Sequence, residues 1–263
     1  NDGSDYNTVV GNYAVRGGTG VISHNTVMGY QGMDQVGNHS SIKNTFIGYD
    51  AGGGAYAGDI IGNVGIGYQS LNGLMNGANY NVALGYVALS VVTTGDTNIG
   101  IGVSAGTDIT TGSDNTIVGS SAGVLMTTTS NTVLIGKSAG AAINSADSDG
   151  TIAIGYQAGQ SITSGIGNTA IGFKSGWSLV DDDYNTFVGF QSGMMAEGGA
   201  NAANTYMGYL AGYQVDDGIN NVAIGREAME SSTAGGNDAS YNVAVGDRAL
   251  EAITDADYNV AIG

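Results

Sequence analysis

The chain has 263 residues, of which 47 are glycine and none is proline or cysteine; 23 acidic and 6 basic side chains give it a net charge of -17. Without proline it is neither collagen nor proline-rich disorder, and without cysteine it has no disulfide framework and no thiolate zinc cluster. The acidic balance leaves no basic patch for nucleic acid, and no apolar run nears the ~18 residues of a spanning helix, so no membrane insertion is expected.

From the N-terminus onward, one short peptide keeps returning. Its copies begin at Asn7, Asn25, Asn44, Asn63, Asn81, Asn98, Asn115, Thr132, Thr151, Asn168, Asn185, Asn204, Asn221, Asn242 and, truncated, Asn259. The clearest is Asn168-Thr169-Ala170-Ile171-Gly172-Phe173-Lys174-Ser175-Gly176. A period of 17–21 residues marks a stacked array. We expect one continuous array over residues 1–263, about fourteen coils and a piece of a longer fibre.

Each column of the repeat carries its own expectation. The second residue is Thr, Val or Ile and the fourth is aliphatic, as in Val10, Ile47, Ile66, Ile101, Ile154, Ile171, Ile224 and Ile262. Residues two apart share a strand face, so both columns are expected to form the core. The third residue, which runs from Gly65 and Ala83 to Phe46 and Tyr206, is then left to solvent or a partner chain. The fifth is always glycine, including Gly48, Gly67, Gly102, Gly155, Gly172 and Gly225, which predicts positive φ or close backbone approach at a corner. Three residues later only Ala, Gly or Ser occurs, as in Ala14, Ala51, Ser70 and Ser192, predicting a tight crossing. The leading Asn is expected to stack on itself as an amide ladder.

These columns predict an all-β parallel solenoid, a β-roll or β-helix of 17–21-residue coils. Helix is not expected, because glycine interrupts every candidate segment. Extra residues fall in loops after the small-residue column, at 196–201 and 233–238. Acids such as Asp147, Asp149, Asp181, Asp216 and Asp255 lie between the repeat cores and read as solvated turn residues. Calcium binding is the sharper alternative, although neither the β-roll nonapeptide nor an EF-hand loop is present.

The segments Asn221-Val222-Ala223-Ile224-Gly225 and Thr151-Ile152-Ala153-Ile154-Gly155 resemble the head repeats of trimeric autotransporter adhesins. The unit Asn168 to Gly176, with spacers Thr93-Thr94-Gly95 and Thr110-Thr111-Gly112, is similar to repeats of phage tail-fibre proteins. The resemblance covers essentially the whole chain. It implies a left-handed parallel β-roll, three chains side by side, and an extracellular place on a virion or cell surface. The repeat is longer than the adhesin pattern, and none of these 263 residues reads as a membrane anchor, coiled-coil stalk or self-cleaving chaperone.

Apparent sites dissolve into the repeat. Gly100-Ile101-Gly102-Val103-Ser104-Ala105-Gly106 looks like a dinucleotide loop, but its glycines belong to repeat columns. His24 and His39 have no cysteine partner and no close pair, and no Ser, His and Asp set stands apart, so no catalytic, cofactor or metal site is expected. The sixth column, Tyr30, Tyr49, Tyr68, Tyr86, Tyr156 and Tyr209 with Phe173 and Phe190, ends at Arg226 and Asp247. It predicts an aromatic ladder or, functionally, a platform on which sugar rings of a host glycan lie.

The function expected is a non-enzymatic fibre segment, shaft or head, of a phage tail fibre or surface adhesin. It would work as a homotrimer supporting attachment to a glycan or protein receptor on a host. The alternatives are a glycan- or Ca-binding repeat surface and, last, an ice-binding solenoid. Thr8, Thr26, Thr45 and Thr116 sit in the column assigned inward, which counts against ice.

Overall fold

The computed structural model describes residues 5–196, 202–231 and 238–263, so the loop insertions expected at 196–201 and 233–238 fall almost wholly outside them. The fold is a parallel β-solenoid of about fourteen turns. The one helical turn among the described residues is the 3-10 segment Ala146–Ser148. Two compact units divide the chain, Asn1–Asn131 and Thr132–Gly263.

In the first unit, three-residue strands at Thr8–Val10, Thr26–Met28, Thr45–Ile47, Val64–Ile66, Val82–Leu84, Ile99–Ile101 and Thr116–Val118 pair in parallel and in chain order. A second short ladder joins Ile22–Ser23, Ser41–Ile42 and Ile60–Ile61, where the coils are longer. The second unit repeats the arrangement with Val133–Ile135, Ile152–Ile154, Thr169–Ile171, Thr186–Val188, Thr205–Met207, Val222–Ile224, Val243–Val245 and Val260–Ile262. Equivalent residues face each other throughout, as Thr169 faces Thr186 and Ile171 faces Val188.

The corner glycine is required twice over. Gly172 sits at φ +137°, a region L side chains rarely adopt, and a Cβ there would lie 2.1 Å from the carbonyl oxygen of Gly189 in the next coil. The N–H of Gly189 donates to Ile171 O at 2.8 Å, so the next coil cannot retreat without breaking the ladder. The small-residue column crosses beneath, with Ala51, Ser70, Ala158 and Ser192 fully buried.

The leading Asn residues form the expected ladder. Asn81, for example, is fully buried. Its backbone N–H donates to Asn63 Oδ1 at 2.9 Å, its Nδ2 donates to Gly95 O at 2.9 Å, and its own Oδ1 accepts the N–H of Asn98 at 2.9 Å. Where Thr151 replaces Asn, its hydroxyl instead donates to Ser148 O at 2.8 Å, in the turn that follows the 3-10 segment.

That ladder fixes which way every strand residue points, and it reverses the inward and outward assignment expected from the aliphatic columns. Because the first residue is inside, the third is inside too. Val27, Phe46, Ala83, Ile117, Leu134, Ala170, Phe187 and Tyr206 are all fully buried. The eight residues expected as core lie on the outer face: Val10, Ile66, Ile224 and Ile262 are exposed, and Ile47, Ile101, Ile154 and Ile171 are only half-buried.

The wide range of sizes in the third column is jigsaw packing rather than exposure. Phe46 fills space that Gly52 and Gly65 leave, since a Cβ on either would come within 2.8 Å of its ring. Tyr206 does the same against Gly212, and Leu89 against Gly100. Phe187 and Tyr206 stack inside at 4.9 Å between ring centroids.

Candidate functional site

The sixth-position aromatics stand just past the corner glycine, half-exposed, and stack along the coils. In the first unit the centroids of Tyr30, Tyr49, Tyr68 and Tyr86 succeed one another at 5.2, 5.2 and 5.0 Å with interplanar angles of 20° or less. In the second unit Tyr156, Phe173, Phe190 and Tyr209 follow at 5.2, 5.1 and 5.4 Å. Offset stacking of this kind contributes ~0.5–1.5 kcal/mol per pair.

This geometry bears directly on the sugar-platform reading. Tyr49 has Tyr30 on one face and Tyr68 on the other, so interior rings of the ladder offer solvent their edges and hydroxyls. A pyranose lying flat needs a free ring face, which these rings do not provide. Tyr68→Ser is expected to lower stability by about 1–2 kcal/mol through two lost stacks, read from the denaturation midpoint, and to leave glycan-array signals unchanged.

At the end of the aromatic column the rungs become ionic. Arg226 holds both carboxylate oxygens of Asp247, Nε to Oδ1 at 2.7 Å and a terminal nitrogen to Oδ2 at 2.9 Å. Beside it Arg248 meets Glu227 at 2.6 Å. The hydrogen bond from Arg226 holds the Asp247 carboxyl below its usual range. Glu227, Glu230 and Glu251 come close enough to share a cation. Burial, with Glu227 and Glu251 adding, pushes the Glu230 carboxyl up. Arg226 and Arg248 already neutralise Glu227.

The remaining sequence candidates are structural. Within the dinucleotide-like run, a Cβ on Gly100 would meet the Leu89 side chain, Gly102 is a corner glycine at φ +132°, and Gly106 is a left-handed turn residue at φ +56°; no helix follows them. His24 packs its ring against Tyr6 at 4.8 Å and places Nδ1 2.7 Å from Ser23 Oγ, while His39 is half-buried on a loop. A shallow cleft of about 530 Å³ is lined by Gln69, Asn72, Leu74, Val91 and Thr93. A second, of about 410 Å³, lies over the buried Asp34, which Arg16 Nε approaches to 2.8 Å. No helix among the described residues is long and apolar enough to cross a membrane.

Left-handed backbone at residues other than glycine gives no sequence signal, yet it recurs from coil to coil. Lys174 at φ +51° and Tyr184 at φ +59° occupy a region that costs about 1–2 kcal/mol per residue. Each is held by an N–H donated to the preceding coil, Lys174 to Tyr156 O at 2.9 Å and Tyr184 to Ile166 O at 2.7 Å. No family model, no curated protein and no solved structure matches the chain.

Proposed function

We propose that the chain is a non-catalytic structural segment of an extracellular fibre, a phage tail fibre or a cell-surface adhesin, working as a homotrimer in support of attachment to a host surface. The observation that carries this reading is the sameness of the coils. Within each unit the turns seat on one another through recurring backbone bonds and the same glycine corner, and through the same Asn amide except at Thr132 and Thr151, and such regularity suits mechanical extension rather than chemistry. Solenoid stability is built from neighbour contacts of this kind. The test is electron microscopy of the expressed chain together with sedimentation equilibrium. Thin filaments of uniform width with trimer mass are expected, whereas globular particles would overturn the reading.

Ice binding gains one observation as a second reading. Thr8, Thr26 and Thr45 stand in the outward second column, so the argument against it no longer holds. The run is interrupted by Val64, Val82 and Ile99, which weakens a regular hydroxyl array. Thermal hysteresis of the purified chain decides between the two, and none is expected.

A further inference from the structure

The parity of the strands leaves one face without an occupant. In the second unit Ile152, Ile154, Thr169, Ile171, Thr186 and Val188 all point away from the coil interior. Across all the three-residue strands, the outward positions hold only Thr, Val, Ile, Leu or Met. No charge occurs there, although the chain carries 23 acidic and 6 basic residues. Their own neighbours in the ladder cover these side chains only partly: Met28 is 42% exposed, Ile66 38% and Met207 45%. A contiguous uncharged apolar face of this kind on a strongly acidic protein marks an interaction surface.

The face also states what fits it. It repeats once per coil, at a strand spacing of about 4.8 Å, and a partner can fill every rung only if its own surface repeats at that interval. A second copy of this chain does so by construction. With two outward positions in each of its eight strands, the second unit alone approaches the roughly 20–30 residues a side of a standard interface. Charge agrees, because copies at -17 each repel unless their acids stay away from the seam, and the acids sit in the loops. The stacked sixth-position rings adjoin this face across the corner glycine, where aromatic side chains are favoured in interfaces.

We propose that the second- and fourth-position columns are the seam along which parallel copies of this chain associate in register. The proposal rests on the fibre reading and names its partner surface: a face of the sheet, not the third column, which lies within the coil. Residual repulsion between acidic loops is screened by salt, so association tightens as ionic strength rises.

The test is sedimentation equilibrium of the whole chain at low and high salt, with far-UV circular dichroism as the check on folding. Ile154→Glu/Ile171→Glu puts two charges on neighbouring rungs of the face. Thr94→Glu/Thr111→Glu puts the same charges on a loop of neighbouring coils. The wild type and the loop variant are expected to associate alike, and the face variant to remain folded with association weakened at least tenfold. Should the glutamates prevent folding, Ile154→Ser/Ile171→Ser makes the same comparison without added charge. A folded face variant that associates as tightly as the wild type overturns the seam while leaving the fibre reading intact. A wild type that stays monomeric in high salt overturns both the seam and the trimer, and filament micrographs then decide separately whether the chain is a fibre segment.

Discussion

Replacing Gly172 by alanine is expected to destabilise the fold by about 3–5 kcal/mol, at the upper end of what single substitutions do. Two costs combine at this position. At φ +137° the backbone is in a region that alanine enters only with strain. Independently, the new Cβ would stand 2.1 Å from Gly189 O and 2.6 Å from Gly189 C, contacts that can be relieved only by moving the next coil. That movement would stretch the bond from Gly189 N to Ile171 O, now 2.8 Å. Gly150 separates the two costs. It has φ +79°, but an added methyl would meet nothing within 4 Å, so Gly150→Ala should cost only about 1–2 kcal/mol. Urea denaturation of both variants reads the difference directly. Equal losses would mean that backbone strain alone, and not close approach between coils, keeps this column glycine.

The period, the parallel stacking, the corner glycines, the Asn ladder and the stacked aromatics are all legible in the sequence, because each is a requirement one coil places on the next. A residue that must repeat to be satisfied, such as Asn81 between Asn63 and Asn98, announces itself by repeating. Side-chain direction is the part that column regularity misreports. Regular aliphatic columns read as core and a variable column as surface, the usual inference for an isolated globular domain. Here the interior is so narrow that regularity fails inside it: Phe46 is compensated by Gly65, Tyr206 by Gly212 and Leu89 by Gly100. The correcting signal is present in the same repeat. If the Asn amides stack within the coil, strand alternation places the third residue with them and the aliphatic columns outside.

The same correction changes how the candidate site is understood. With Ile47 and Ile171 outside, the aromatic ladder adjoins an apolar sheet face instead of standing alone on a polar surface. Tyr49 and Phe173 are hemmed in by ring neighbours, and their contribution is to stiffen the edge of that face. The switch at Arg226 and Asp247 preserves the rule that a rung must complement the one beside it, with an ion pair in place of a ring stack. These contacts answer to the neighbouring coil.

The amide ladder is the other place where one substitution should be severe. Asn204 is buried. Its N–H donates to Asn185 Oδ1 at 2.9 Å, its Nδ2 donates to Gly218 O at 2.8 Å, and its Oδ1 accepts from the N–H of Asn221 at 2.9 Å. Asn204→Ala keeps the first bond and strips the partner from a buried N–H and a buried carbonyl, each costing about 1–3 kcal/mol when orphaned. A loss of about 2–5 kcal/mol, read from urea denaturation, follows. Asn204→Asp tests the mechanism more closely, since an aspartate can still accept from Asn221 but can donate to Gly218 O only when protonated. Desolvation and the facing carbonyl dipole therefore raise its folded pKa above the unfolded value. A raised pKa gives stability that is complete at low pH and is lost as pH climbs through the folded value, so this variant should be more stable in acid than at neutral pH. If its stability shows no such decline relative to the wild type, the Nδ2 bond to the next coil is not what the ladder depends on, and alignment of the backbone alone holds the turns together.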